Sequence, residues 1–497
     1  MDKQSVLRDS NFGQRVAEEE SDELEKYFVE TDHWARTFRG EVDVIYGPKG
    51  SGKSALYSLL IRKQDELFDR GIVVVSGEKP RGAPAFKDIE QDPPTTEDEF
   101  VGLWKLYLVV LINSVLSDFG IQSPEANRVA KFLEMSGLVE TRRNVSRALR
   151  GAFRYVKSFF RKPSAVEGDV RIDPATGLPA GFTGKITFAE PEIENPNVAS
   201  VDSLLKDANE ALTELRLWIL LDRLDVAFAE MPTLEENALR ALFRVYLDMM
   251  EFDRIDLKIF LRTDIWNRIT SQGFREASHI TRHITIKWDS SALMNLVVRR
   301  AMKNPAIVEA YSVDPNLVLS SSENQNRFFY RMFPPQVDIG SRKSTTFDWI
   351  LNRTMDGTGK PAPREIIHLL NATRDAQLRQ YELGSIEDEG EQLFSRAALR
   401  EALPEVSRIR LQQTLYAEYP RVRASIEQLS GEKTEHSPDT LAKVWHCDAN
   451  RARETAEQLT DVGFFERRGT KDSPRYWIPF LYRPATGTIQ GSAEEEE

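Results

Sequence analysis

The sequence predicts an α/β fold in which a parallel sheet lies between helices, followed by a helical stretch and a small C-terminal module. Three observations predict it. Short runs rich in Val, Ile and Leu recur between long stretches of helical periodicity, the alternation that builds buried parallel sheets. A glycine-rich loop joins the first of these runs to the first strongly periodic helix. After Asp289 the strand signal gives way to helical spacing as far as residue 430.

The elements follow in order. Residues 1–38 read as a charged helical lead-in anchored by Leu24, Tyr27, Phe28 and Trp34. Glu41–Gly47 alternates and then turns at glycine, as a strand does. Ser54–Phe68 has apolar residues at helical spacing, Gly71 stops it, and Ile72–Gly77 is the next strand, which completes a βαβ unit. A long helix is expected near Glu97–Phe119. Residues 142–162 hold eight Lys or Arg and no acid, with Val145, Leu149, Ala152, Val156 and Phe159 on one face, which predicts an amphipathic basic helix. Residues 163–200, with their Pro and Gly, read as an insertion carrying a hairpin. Leu215–Asp222, Ile255–Arg262 and His283–Trp288 are three further strands. These elements define a core at 39–290 and a helical region at 291–430, interrupted by an expected disordered loop at Ser320–Ser322 and Asn324–Asn326. A compact module at 431–485 and a disordered acidic tail at 486–497 end the chain.

Composition narrows the class. Of 497 residues, 41% are hydrophobic, as expected of a globular chain, and one cysteine, Cys447, excludes a disulfide framework. The longest apolar run, Leu106–Ile112, is short of the roughly 20 residues a bilayer needs, and the N-terminus lacks an apolar signal segment. The expectation is a cytoplasmic chain without a transmembrane segment. A formal charge of −12 argues against diffuse nucleic-acid binding and leaves room for a local basic patch.

Gly47-Pro48-Lys49-Gly50-Ser51-Gly52-Lys53-Ser54 fits G-x-x-x-x-G-K-[ST] at every fixed position, between a strand and a helix. Glycines let backbone N–H groups wrap an anion, and the helix N-terminus adds positive potential. Lys53 is expected on the β and γ phosphates of ATP, and Ser54 on Mg²⁺. Such a site needs a second metal carboxylate at a strand end, and Leu217-Trp218-Ile219-Leu220-Leu221-Asp222 supplies one in Asp222. Asp225, three residues on, either orients the attacking water as general base or caps a turn.

GPKGSGKSA, WILLDRLD, FLRTD and APREIIHLLN, in that order, resemble the AAA+/STAND class of P-loop ATPases over about residues 10–380. The D-x-L-D form at Asp222–Asp225 is similar to the STAND and KAP branches rather than to protein-unfolding AAA+ rings. Many AAA+ proteins carry a glutamate directly after the metal aspartate, where this chain has Arg223. The resemblance implies a P-loop NTPase core with a helical lid. It implies a γ-phosphate sensor in Arg262 or Thr263, a lid arginine in Arg364, and a trans-acting arginine finger in Arg275 or Arg282. The lead-in Phe12–Trp34 resembles that of a group of bacterial P-loop ATPases, which would place Phe12, Gly13 or Trp34 at the adenine.

The C-terminal module has one helical face at Leu441, Val444 and Trp445. A capped turn at Cys447–Asn450 follows, then a second helix through Ala452, Ala456 and Leu459, a stop at Gly463, and strands at Phe464–Arg467 and Tyr476–Ile478. This is the winged-helix order. Arg451, Arg453, Arg467, Arg468, Lys471 and Arg475 offer a DNA-contacting face, while Glu454, Glu457 and Asp461 oppose it. The basic helix 142–162 is a second candidate for nucleic acid, but its pattern also suits an anionic membrane surface, an acidic partner, or a helix packed on the core with a solvated basic face.

The leading expectation is an ATP-binding, ATP-hydrolysing molecular switch of the AAA+/STAND type, a homo-oligomer or one that acts on a partner protein, as in bacterial defence or signalling. One alternative is an ATP-gated DNA-binding initiator or loader, arranged as in Orc/Cdc6-like proteins. The other is a scaffold that holds nucleotide without turnover.

Overall fold

The computed structural model describes residues 2–14, 28, 31–77, 97–136, 138, 163–172, 179–188, 201–222, 224, 232–271, 273–384 and 390–493, with backbone alone at 163–172 and 179–188. The expected basic helix 142–162 lies outside the described residues, as do Arg223 and Asp225. The chain forms two compact units. One consists of Arg36–Tyr46 and Leu60–Ile284, and the other of Met1–Ala35, Gly47–Leu59 and Thr285–Glu497.

The first of these units is built on a five-stranded sheet. Its strands are β1 (Val44–Gly47), β2 (Ile72–Ser76), β5 (Arg216–Leu221), β6 (Ile255–Arg262) and β7 (His283–Thr285), in the order β2-β5-β6-β1-β7. β2 runs parallel to β5, with Ile72 opposite Arg216, and β5 runs parallel to β6, with Leu217 opposite Ile255. Leu217 through Leu221 are all buried, which is why these strands read as continuous apolar runs rather than alternating ones. Between β2 and β5, β3 (Pro163–Ile172) and β4 (Pro179–Phe188) form a separate antiparallel hairpin.

Among the described residues one helix, Glu97–Asp118, is long and apolar enough to cross a membrane. Here Phe100, Leu103, Trp104, Tyr107 and Ile112 are instead buried in the unit's core, and the Trp104 indole N–H donates to the Ala238 carbonyl at 2.9 Å. The helix expected as one piece over Ser54–Phe68 is two, Lys53–Arg62 and Gln64–Phe68. They are broken at Lys63, whose ψ of +16° leaves the α region. The parallel α/β sheet with its phosphate-type loop is the P-loop fold, and β6 lies between the loop-bearing strand β1 and the acid-bearing strand β5.

The other unit is held by a helical core. Leu293, Phe329, Phe333, Ile350, Ile366, Leu369 and Phe394 share it with Leu441, Leu459, Phe464 and Tyr482 of the C-terminal module. Phe333 stacks on Phe329 and Phe394 with ring centroids 4.5 and 4.7 Å apart. The stretch expected to be a disordered loop at 320–326 is a helix start instead. The Ser321 hydroxyl accepts from the Asn324 N–H at 3.1 Å and caps Ser322–Met332, while Asn324 Nδ2 donates to the Leu317 carbonyl at 3.0 Å. Serine and asparagine looked like loop residues because they also make caps.

The C-terminal module comprises β8 (Lys433–His436), helix Pro438–Trp445, helix Ala449–Asp461, β9 (Glu466–Gly469), β10 (Pro474–Trp477) and β11 (Ile489–Ser492), with sheet order β11-β8-β10-β9. Asp448 caps the second helix through the N–H groups of Asn450 and Arg451. β11 falls in the expected disordered tail and corrects it. It is held by the backbone, with Ile489 N–H on the Glu432 carbonyl and Ala493 N–H on the Glu435 carbonyl, both at 2.8 Å. Its mostly exposed side chains leave no apolar pattern to read.

Candidate nucleotide site

The glycine loop belongs to the helical unit, and its geometry is set there. Gly50 and Gly52 adopt φ of +77° and +98°, the left-handed region that only glycine enters at little cost. The loop then feeds straight into the helix at Lys53. The Lys53 ammonium reaches back to the carbonyls of Gly47 at 2.9 Å and Pro48 at 3.1 Å, so the side chain lies over the loop it would serve. The Ser51 hydroxyl is buried and makes no hydrogen bond among the described residues. Trp288 fixes the loop from outside by donating its indole N–H to the Ser51 carbonyl at 2.8 Å. Lys49 forms an ion pair with Glu418.

The helix Pro363–Glu382 begins against the loop. A Cβ added at Gly50 would lie 3.2 Å from Arg364 Cβ, 3.5 Å from a Glu365 carboxylate oxygen and 3.6 Å from Ala362 Cβ. The structure therefore brings Arg364 next to the phosphate-type loop. Glu365 is held from behind by Arg410 at 3.0 Å. Arg410 also reaches Asp356 at 2.9 Å and is buried. Burial alone would lower its pKa, but Tyr482, Glu365 and Asp356 outweigh that effect and the net displacement is upward.

In the sheet-bearing unit, Asp222 follows β5 and is buried. Arg262, at the end of β6, grips Asp264 through two hydrogen bonds of 3.1 and 2.8 Å. The adjacent Thr263 hydroxyl is buried with no hydrogen-bond partner among the described residues. Arg275 opens a short 3₁₀ turn. Arg282 is engaged by Asp43 at 3.1 Å and by the Gly40 carbonyl at 2.5 Å, a structural role for a side chain expected as a finger. Among the described residues no three His, Cys, Asp or Glu side chains gather into a metal-holding cluster.

Phe12, expected near adenine, is fully buried, with its ring 6.0 Å from Phe394. Gly13 offers its carbonyl to Asn371 Nδ2 at 2.8 Å, and Trp34 packs edge-on against Phe28 at 5.4 Å. Phe12 is thus a core residue. Trp288, Glu365, Arg410 and Glu418 were not among the expected site residues. A tryptophan just past a strand and charges within helices carry no motif, so their roles appear only when the chain is folded.

The orphan Ser51 hydroxyl, the positive-φ glycines and the lysine over the loop mouth suit a triphosphate. No family model matches this chain, and no curated protein does. Two archaeal crystal structures align with it along most of its length. The Aeropyrum pernix ORC1 protein in complex with DNA is 13% identical, with a TM-score of 0.36, over 92% of this chain and 93% of that one. The Aeropyrum pernix ORC2 protein, in ADPNP and ADP complexes, is 13% identical, with a TM-score of 0.31, over 90% and 86%. Similarity at this level does not decide the fold, which rests on the sheet order and the loop.

Proposed function

We propose that this chain is an ATP-binding and ATP-hydrolysing switch of the AAA+ type, whose nucleotide state is passed through the lid to a C-terminal winged helix. One observation carries this proposal. The apex of the P-loop at Gly50 lies against the first turn of the lid helix at Arg364, and that helix shares a single apolar core with the C-terminal module. A change in the loop therefore bears directly on the element that supports the module.

In this proposal Gly47 through Ser54 cradle the phosphates, with Lys53 countering their charge. Ser54 and Asp222 hold Mg²⁺, which supplies charge neutralisation at the β and γ phosphates. Arg364 approaches the phosphates from the lid, and Arg262 or Thr263 reads the γ-phosphate. Asp225 remains the candidate base for the attacking water.

A C-terminal module built onto the lid core fits the Orc/Cdc6-like arrangement. DNA is then the output to test. The module itself is not uniformly basic: Arg467 pairs with Glu457 at 3.4 Å, Arg468 pairs with Glu466 at 2.8 Å, and Arg453 donates to the Lys471 carbonyl at 2.6 Å.

The test is ATP turnover by the full chain, with and without duplex DNA, beside Lys53→Ala. Turnover that Lys53→Ala abolishes supports the switch. Binding without turnover in every oligomeric state leaves the scaffold alternative. Turnover or nucleotide affinity that responds to DNA, with a steep salt dependence, supports the Orc/Cdc6-like form. No nucleotide binding at all overturns the proposal.

A further inference from the structure

We infer that the segment 410–418, and Arg410 above all, is the coupling element between the P-loop and the C-terminal module. The inference rests on the ATP-binding proposal and adds the route by which the nucleotide state travels.

Two adjacent loop residues are tied to this one segment. Lys49 is ion-paired to Glu418. Gly50 lies against the Glu365 carboxylate, which Arg410 holds through its other oxygen at 3.0 Å. The second amino group of the same guanidinium holds Asp356 at 2.9 Å, and Arg410 Nε faces the Tyr482 hydroxyl at 3.4 Å. Asp356 leads directly into the module. Its Cγ is 3.1 Å from where a Cβ on Gly463 would sit, and the next residue, Gly357, donates its N–H to the Gly463 carbonyl at 2.7 Å. Gly463 ends the second helix of the module and precedes Phe464 and Phe465 in its core.

The backbone around Arg410 is also unusual. Helix Arg396–Ile409 passes at Arg410 into a π-helical turn over Arg410–Tyr416. Such turns are rare and widen the helix locally. This one begins at the buried arginine and ends two residues before Glu418. A planar guanidinium has donors in a fixed fork and suits two carboxylates at once, which a lysine ammonium does not. Displacement of Lys49–Gly50 as the loop closes on phosphate therefore pulls on Glu365 and Glu418 together. Arg410 converts that pull into movement of Asp356–Gly357 and hence of Gly463. Arg410 touches neither loop nor substrate and is a positioning residue.

The experiment is hydrogen exchange by mass spectrometry on the full chain, without nucleotide and with saturating Mg²⁺ plus ADP or a non-hydrolysable ATP analogue. In the wild type, exchange in P-loop peptides and in peptides spanning 456–469 and 478–492 is expected to slow several-fold with the analogue. The triple variant Asp356→Asn/Glu365→Gln/Arg410→Met neutralises the buried cluster without leaving one charge unpaired, so its fold is expected to survive. In it the P-loop peptides should still respond to nucleotide while the C-terminal peptides do not. Arg410→Lys, which retains the charge but not the fork, should lose most of the C-terminal response. A full C-terminal response in both variants overturns the inference and makes the cluster a purely structural one. A wild type whose P-loop responds while its C-terminal peptides stay silent also overturns it, leaving ATP binding intact. A wild type whose P-loop does not respond overturns both proposals.

Discussion

Lys258 donates to Asp43 at 2.7 Å with both side chains closed off from solvent. The ammonium also donates to the Val42 carbonyl at 2.9 Å and lies 4.5 Å from the Trp218 ring centroid, while the second Asp43 oxygen receives Tyr246 and Arg282, each at 3.1 Å. This cluster joins the start of β1 to β6 across the middle of the sheet. Burial pushes the Lys258 pKa below its ordinary value, with Asp43 opposing the shift, and burial raises that of Tyr246.

Asp43→Asn is therefore expected to cost about 3–5 kcal/mol, since it leaves a buried ammonium without its counter-charge. Lys258→Met should cost less, because Arg282 and Tyr246 still satisfy Asp43. The sign with pH follows from the lowered lysine pKa. Between that value and the ordinary one near 10.4 the unfolded chain holds more protons, so the Lys258 penalty is relieved as pH rises. The Asp43→Asn deficit should shrink between pH 7 and pH 10 in urea unfolding. A deficit below about 1 kcal/mol at pH 7 would show that the pair matters little.

His436 is one acid-sensitive group of the C-terminal module. It is buried, its Nε2 donates to the Lys433 carbonyl at 2.8 Å, and Nδ1 faces the Thr440 hydroxyl at 3.3 Å. Burial holds its pKa below the usual imidazole value. The unfolded chain then takes up the proton first, so stability falls as pH drops below about 6.5 and levels off once pH is under the folded value. His436→Gln should flatten the pH dependence of Tm between pH 7 and 5. An unchanged slope would exclude His436 as its source.

Trp288 holds the P-loop by one hydrogen bond to the Ser51 carbonyl. Trp288→Phe keeps most of the ring and deletes the donor. Losing such a bond costs about 1 kcal/mol, or roughly a fivefold rise in the ATP dissociation constant if the loop is otherwise intact. Titration with a fluorescent ATP analogue reads it directly. A Tm drop of many degrees would mean the indole serves the core rather than the loop.

Gly357 meets the module backbone at close range. A Cβ there would lie 2.1 Å from the Phe465 carbonyl oxygen, a distance no packing tolerates. Gly357→Ala should destabilise the helical unit by about 2–3 kcal/mol. Gly359→Ala, with nothing within 4 Å of the added carbon but a φ of +71°, should cost about 1 kcal/mol. Equal losses by chemical denaturation would refute the close approach as the cause.

The phosphate-type loop, the five strands of the main sheet and the helix–turn–helix with its hairpin were all readable in the chain. Each depends on local chemistry: glycines where positive φ is needed, aliphatic runs where both faces of a strand are covered, and Asp448 or Ser437 where a helix must be capped. What escaped had no local signature. β11 is held by backbone bonds and exposes most of its side chains, and the serines and asparagines at 320–326 serve equally as loop or cap.

The sequence by itself determined that this chain has a P-loop between a strand and a helix, an acid at the end of a buried strand and a small C-terminal module, because those features are written within a few residues of one another. Only the tertiary structure decided that Gly50 meets Glu365, that Arg410 joins Glu365 to Asp356, and that Lys258 meets Asp43. Partners tens to hundreds of residues apart are chosen by which faces pack together. A buried arginine or lysine in a helix or strand looks like a surface one until the fold closes around it.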